Sequence, residues 1–184
     1  GRNAIDSGLY FSSKSLIPWQ STTDFYLINQ QLNKFPANTG APLNKVGKTN
    51  VFSLGTLMKG DPKKLHNWDY DTEMVAQFGQ AGGQTHRAFA GHWGGGYNFH
   101  NPWKPRLGAQ YNYASGDKDP NDGKSTTFQN YFPGNHALYG FMDTTGWMNM
   151  HNPQLNFSLQ PTEKLKITAD LMAFWNATNG DAWY

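Results

Sequence analysis

Apolar and polar side chains alternate along much of this chain with a period of two. A β-strand points successive side chains to opposite faces, so each alternating segment has one apolar face and one polar face. Aromatic residues, Thr, Asn and Gly dominate these segments, and helical signals are scarce. The alternation is clearest at residues 67–79, 103–115, 153–161 and 164–176.

The pattern predicts an all-β, antiparallel chain of about eight strands. Most predicted strands span about 10–13 residues, close to the 9–11 that a tilted membrane-spanning strand needs. Strands of soluble domains are shorter, at about 5–6 residues. The predicted strands are 6–16, 23–33, 49–59, 67–79, 85–99, 103–115, 153–161 and 164–176.

The links between these strands fall into two sets when the strands are counted along the chain. Outer-membrane barrels have long outer loops and short periplasmic turns. The links expected outside the cell are 34–48, 80–84 and 116–152. Those expected in the periplasm are 17–22, 60–66, 100–102 and 161–163. The long outer loop 116–152 is rich in aromatic residues, so we expect it to fold over or into the barrel mouth.

Composition excludes a helical membrane protein but not a membrane β-barrel. Hydrophobic residues make up 38% of the 184 residues, mean hydropathy is −0.70, and cysteine is absent. No apolar run approaches the ~18 residues of a membrane helix. Charged residues make up only 15%, against roughly 25% in soluble domains. The alternative is a soluble, secreted carbohydrate-binding β-sandwich whose apolar faces point inward.

One stretch of the chain, residues 102–149, carries specific motifs. It contains Pro-Trp-Lys-Pro-Arg-Leu-Gly at 102–108 and Tyr-Asn-Tyr-Ala-Ser-Gly-Asp at 111–117. Further matching residues are Thr127, Phe128, Phe132, Pro133, His136, Gly140, Asp143, Gly146, Trp147 and Asn149. With weaker support from 68–79 and 173–175, this stretch resembles the alginate export family of outer-membrane porins.

The resemblance implies an antiparallel transmembrane β-barrel in the bacterial outer membrane. Such a barrel passes an anionic polysaccharide, or small anionic solutes, through a positively charged lumen. Family members have about eighteen strands, so eight strands would be a fragment of the barrel. A closed eight-stranded barrel, filled by side chains, is the alternative. Implied partners are an anionic saccharide, outer-membrane lipid and periplasmic secretion components; no nucleic acid, cofactor or enzymatic activity is expected.

Side chains on the polar faces are candidates for the pore lining. Arg106 is the first candidate, because its planar guanidinium matches the carboxylate of a passing solute. Lys104 lies close to a turn and is expected to mark the entrance. Acidic side chains such as Asp69 are expected to hold the basic residues in place and to moderate anion affinity. The predicted pore-lining residues are Arg106, Lys104, Lys166, Asp71, Glu73, Gln110 and Asn112.

A weak calcium motif lies at the start of the long loop. Asp117, Asp119 and Asn121 place oxygen side chains at alternate positions. An EF-hand is excluded, because its sixth and twelfth positions are Asp122 and Phe128 rather than Gly and Glu. A looser calcium site and an ordinary polar turn both remain open, and the residue types favour the turn.

Two histidines and a glycine run also have structural interpretations. His86 and His92 share one face of a strand but lie too far apart for one metal ion. They are interpreted as polar groups of the lumen or loops. The run Gly94–Gly96 is not followed by a helix, so it is not a phosphate loop. We expect it to permit sharp strand curvature or close backbone approach.

Overall fold

The structure, a computed structural model, is an antiparallel all-β sheet. It describes residues 4–32, 47–131, 134, 138–140 and 145–184. No helix in these residues is long and apolar enough to cross a membrane. The strands within them are β1 (Ala4–Ser13), β2 (Gln20–Leu32), β3 (Thr49–Gly60), β4 (Trp68–Ala81), β5 (Gln84–Asn98), β6 (Arg106–Ala114), β7 (Lys124–Ser125), β8 (Met150–Thr162), β9 (Leu165–Met172) and β10 (Trp175–Asn176).

Sequential strands are neighbours in the sheet, in the order β1-β2-β3-β4-β5-β6-β8. Both β9 and β10 pair with β8, so they form two parts of one last strand that is interrupted at Ala173 and Phe174. The short β7 adds in parallel to the beginning of β5. Among the described residues, β1 and β9 have no partner on their outer edges, and the sheet is not closed.

All eight predicted strands are present, but the predicted strand 103–115 is wrong at its start. The observed β6 begins at Arg106. Pro102 and Pro105 lack the N–H group that a strand ladder uses, and Lys104 has a positive φ of 47°. Lys104 therefore lies in the turn before β6 and not on the polar face of a strand.

The predicted link 80–84 is shorter in the structure, because β4 and β5 are joined by a two-residue hairpin. Ala81 pairs with Gln84, and the turn residues Gly82 and Gly83 have positive φ angles of 59° and 81°. Glycine adopts this conformation without a Cβ penalty, as type I′ hairpin turns require. The links on this side of the sheet are therefore not uniformly long.

The other two links on this side differ in how much of them the structure describes. Most of the predicted link 34–48 lies outside the described residues. The predicted loop 116–152 is slightly too long, because β8 begins at Met150 and the observed link is 115–149. Part of this link also lies outside the described residues, including His136.

The central strands of the sheet bury much of their polar face and expose their apolar face. Leu107 and Leu155 are 55% and 56% exposed, whereas Asn112 and Asn152 on the opposite face are 1% and 0% exposed. We call the face that carries Asn112 the inner face and the opposite face the outer face. A soluble sandwich has the reverse arrangement. No second sheet covers the outer face in the described part of the chain, so the sandwich alternative does not fit this sheet.

An apolar row on the inner face is covered by the link 115–149. Phe128 and Tyr139 of the link pack against the row and complete a buried hydrophobic cluster. Trp147 packs at the edge of this cluster. The link therefore lies across the inner face. The row runs across four neighbouring strands and consists of Val75, Ala90, Ala114 and Met150.

Candidate functional site

Three carboxylates follow one another on the inner face of β4. Asp69, Asp71 and Glu73 occupy alternate positions, so the strand pleat points all three side chains to the same side. The register places Asp71 opposite Gly94 and Glu73 opposite His92 of β5. Each of the three carboxylates accepts a hydrogen bond from a side chain on another strand.

Arg106 makes a two-pronged ion pair with Asp69. The guanidinium Nε donates to Oδ2 at 2.8 Å, and Nη2 donates to Oδ1 at 2.5 Å. Asn98 Nδ2 donates to the same Oδ2 at 2.6 Å. This fork geometry fixes the guanidinium and offsets its charge. Arg106 therefore presents a partly neutralised cation to the inner face.

Two glycines make room for the Arg106 guanidinium. A Cβ at Gly96 would lie 2.6 Å from Arg106 Cζ, and a Cβ at Gly108 would lie 2.6 Å from Arg106 Nη1. Any side chain at these positions would displace the guanidinium. The close approach expected of the run Gly94–Gly96 therefore involves a side chain as well as the neighbouring backbone.

His92 is hydrogen-bonded through both of its ring nitrogens. Nε2 lies 2.8 Å from Asp71 Oδ2, and Nδ1 lies 2.6 Å from Asn112 Oδ1. Asn112 is oriented by Asn152, because Asn112 Nδ2 donates to Asn152 Oδ1 at 2.8 Å. Asn152 Nδ2 in turn donates to the Ala173 carbonyl at 2.9 Å. His92 therefore connects Asp71 of β4 to Asn112 of β6.

Two tyrosines extend the polar network from β4 to β1. Tyr26 donates its hydroxyl hydrogen to Glu73 Oε1 at 2.5 Å, and Tyr10 donates to Asp24 Oδ2 at 2.6 Å. The two rings stack with centroids 6.1 Å apart. The Tyr26 ring lies over Gly55 of β3, where a Cβ would overlap it.

A cavity of about 170 Å³ lies between the inner face and the link 115–149. Its polar wall includes Lys59, Asp71, Glu73 and His92, and Tyr139 and Trp147 contribute an aromatic wall. Lys59 is opposite Asp71 in the register of β3 and β4. In the described part of the chain, the Lys59 ammonium forms no hydrogen bond or ion pair.

Hydrogen bonds attach the link to the strands around this cavity. Gln77 exchanges two bonds with the backbone of Gln129, at 2.8 and 2.9 Å. Gln154 Nε2 donates to the Leu138 carbonyl at 2.9 Å. Trp147 Nε1 donates to the Tyr113 carbonyl at 3.0 Å.

Tyr139 is neutral where it closes the cavity. Its side chain belongs to the buried hydrophobic cluster beneath the link. Burial is the main cause that raises the pKa of its phenol, because the ionised form would lose its hydration. The aromatic wall of the cavity therefore adds no charge to the site.

The structure brings together four of the predicted pore-lining residues and separates the other three. Gln110 lies on the inner face of β6, opposite Gly94. Lys166 is exposed on the inner face of β9, the face that also carries Thr168. Lys104 is exposed in the turn before β6. The four that lie in adjoining hydrogen-bonded clusters are Arg106, Asp71, Glu73 and Asn112.

Sequence reasoning missed three members of the inner face. Tyr26 and Asn152 bind predicted residues, and Lys59 lines the cavity. Period-two alternation along 49–59 places Lys59 on the same face as Leu57. The sequence therefore contained a signal for the face on which Lys59 lies. No sequence signal gives the strand register that brings Tyr26 to Glu73.

The suggested calcium motif forms turn hydrogen bonds. Asp117 Oδ1 accepts the Asp119 N–H at 3.3 Å, and Asp119 Oδ1 accepts the Asn121 N–H at 3.0 Å. Such bonds are typical of Asx turns. No three His, Asp or Glu side chains within the described ranges are grouped so as to hold a metal ion.

The C-terminal segment is attached to the same turn. Asp181 Oδ2 accepts the Asp117 N–H at 2.8 Å, and Asp181 Oδ1 accepts the Tyr184 hydroxyl at 2.7 Å. Burial, followed by the bond to Asp181, raises the pKa of the Tyr184 phenol. Tyr184 is therefore a neutral donor that orients Asp181, and Asp181 holds the link through Asp117.

A model of the alginate export family matches residues 5–184, a range that includes every strand from β2 to β10 and nearly all of β1. No curated protein and no solved structure matches the chain.

Proposed function

The chain belongs to the alginate export family, and from this membership we propose that it lines an outer-membrane channel for an anionic, alginate-like polysaccharide. Small anionic solutes are the alternative cargo of the same channel. The family is one of transport proteins rather than enzymes. In this proposal the inner face contacts the solute, the outer face contacts lipid, and periplasmic secretion components deliver the polymer.

The reversed burial of the sheet is the observation that carries this proposal. Apolar side chains such as Leu107 and Leu171 are exposed on the outer face, at 55% and 71%, while amides on the inner face are buried. Exposed apolar patches of this extent are rare in soluble monomers and mark a surface that another apolar phase covers. The hydrocarbon layer of a membrane is such a phase, and a polar interior is typical of membrane barrels.

We propose that the sheet is one arc of a larger barrel. The edges of β1 and β9 lack partners in the described residues, and both strands are exposed along nearly their whole length. An eight-stranded barrel is just wide enough to be filled by its own side chains. Passage of a polymer therefore favours the family size of about eighteen strands.

The cations of the inner face differ in how far they are neutralised. Arg106 is paired with Asp69, and His92 is paired with Asp71. Lys59 and Lys166 are exposed and have no such carboxylate partner among the described residues. A conducting site must also release its ion, and paired charges bind an anion weakly enough to permit release.

Planar-bilayer recordings of the full-length protein in a salt gradient test the proposal. Arg106→Glu should lower anion preference, and Arg106→Lys should change it less, because Lys keeps the charge and loses only the fork. Arg87→Glu is a matched control, because Arg87 is exposed on the outer face of β5. An unchanged reversal potential in Arg106→Glu would remove Arg106 from the pore lining.

A further inference from the structure

We propose that the cavity beneath the link 115–149 is a binding site for one acidic sugar unit, with Lys59 as its carboxylate-binding residue. The proposal deepens the channel function and rests on it, because the sugar arrives along the inner face. It assigns a ligand contact to Lys59, which was not among the predicted pore-lining residues.

The size of the cavity suits one sugar ring. Its volume is about 170 Å³, and a cavity of roughly 150 Å³ is known to accommodate benzene, a six-membered ring without substituents. One wall is the polar inner face of β3 to β6, and the other wall comes from the link. A ring that enters would therefore lie between hydrogen-bonding groups and aromatic groups.

The basic side chains around the cavity differ in whether they are already bound. Lys59 and His92 line the cavity together with Asp71 and Glu73. The His92 ring is hydrogen-bonded on both sides, to Asp71 and Asn112. The Lys59 ammonium has no hydrogen bond or ion pair in the part of the chain that the structure describes. Lys59 is thus the cation that is ready to bind an incoming carboxylate.

The two carboxylates have acceptor capacity for sugar hydroxyls. Glu73 receives one bond from Tyr26, and Asp71 receives one from His92. A carboxylate offers about four lone-pair sites, so each retains positions for a further donor. Sugar hydroxyls are donors, whereas inorganic anions are not. This combination favours a hydroxylated carboxylate over a simple anion.

The aromatic wall supplies the apolar contact that a sugar ring needs. Trp147 is held by its bond to the Tyr113 carbonyl, and Tyr139 is held in the hydrophobic cluster. Both side chains are therefore preorganised, and binding would cost little ordering of the wall.

Calorimetric titration of the full-length protein in detergent tests this site. The probes are glucuronate, glucose, which lacks the carboxylate, and acetate, which lacks the ring. Wild type should bind glucuronate more tightly than either analogue. Lys59→Met should weaken glucuronate binding about tenfold, as expected for the loss of a hydrogen bond to a charged group. Lys63→Met, which removes an exposed lysine of the turn between β3 and β4, outside the cavity, should leave the affinity unchanged.

A second variant tests the cavity without removing charge. Leu138 lines the cavity from the link and is 43% exposed, so Leu138→Trp should fill the space and weaken glucuronate binding. The site is overturned if wild type does not bind glucuronate, binds glucose or acetate equally well, or loses nothing in Lys59→Met. Binding in detergent does not require conduction. If the channel shows no anion preference, that result would contradict the proposed channel function. It would not contradict the sugar-binding site.

Discussion

At the residue scale, Asp69 controls how much charge Arg106 presents to the inner face. The two side chains are 21% and 28% exposed, so water screens the pair only partly. Removing one partner leaves the other charge without compensation. We expect Asp69→Asn to lower the free energy of unfolding by about 1–3 kcal/mol. It should also raise anion preference. Urea titration measures the first effect, and reversal potentials measure the second.

Asp170→Asn is the matched control for Asp69→Asn. Asp170 is exposed on the inner face and accepts a hydrogen bond from the neutral amide of Asn156 at 2.7 Å. Its replacement removes the same charge without releasing a cation, so both effects should be smaller. If the two variants behave alike, the charge of Arg106 does not depend on Asp69.

Adjacent glycines of β5 provide a test of the space around Arg106. A Cβ at Gly96 would overlap the guanidinium, whereas the nearest atom to a Cβ at Gly95 is the Asp69 backbone oxygen at 3.2 Å. Gly96→Ala should therefore displace Arg106 from Asp69 and lower the free energy of unfolding by about 1–3 kcal/mol, because the two hydrogen bonds of this ion pair are lost. Urea titration should show a smaller loss for Gly95→Ala. Equal losses would assign the strain to the strand backbone instead.

The sequence was enough to predict on which face of a strand a residue lies. It was not enough to predict which residues of other strands that residue contacts. Period-two alternation places Arg106, Asn112 and Glu73 on polar faces, and the structure agrees. The bond from Tyr26 to Glu73 joins residues 47 positions apart. It depends on the registers of β2, β3 and β4, which the turn geometries set together.

At the element scale, β9 offers a direct test of which face meets lipid. Thr168 and Asp170 lie on the inner face, and Ile167 and Leu171 lie on the outer face. In vesicles, Thr168→Cys and Asp170→Cys should react with a water-soluble maleimide, because the inner face contacts water. Ile167→Cys and Leu171→Cys should be protected by lipid.

Urea-unfolded protein is the control for the reactivity of all four cysteine variants. Each should label fully once the sheet is lost. Equal labelling of Leu171→Cys and Asp170→Cys in vesicles would contradict the membrane-spanning arrangement of the sheet.

The strands were predictable because each carries its own alternation, whereas turns depend on a few backbone angles. The start of β6 was misplaced because alternation continues through Trp103 and Pro105, although these residues lie in a turn. The hairpin at Gly82 and Gly83 has a clear glycine signal, and its flanking residues pair up to the turn. Periodicity alone therefore extends predicted strands too far, and the Pro and Gly residues of the turns show where the strands end.

At the scale of the whole molecule, the link covers part of the inner face, and the described residues leave the outer face uncovered. The link covers the apolar row from Val75 to Met150, which crosses the inner face. These residues come from four strands, so only the assembled register shows that they form one patch. The aromatic content of the link predicted packing, and the sheet register determines where it packs.

Deletion of 118–146 tests whether the link constricts the channel. The deletion removes Phe128 and Tyr139 from the hydrophobic cluster, so the unfolding midpoint should fall. The ladder from β1 to β6 should persist, because its hydrogen bonds join strands directly. Conductance in planar bilayers should rise, because the obstruction over the inner face is gone.

Deletion of 119–122 is the control, because it shortens an exposed turn of the same link without touching the cluster. Its conductance should equal that of wild type. If Arg106 and Lys59 determine anion preference, the larger deletion should leave it unchanged. Any change in anion preference would measure the contribution of link residues. A larger deletion that folds but conducts no better than wild type would show that the link covers the inner face without narrowing the path of the solute.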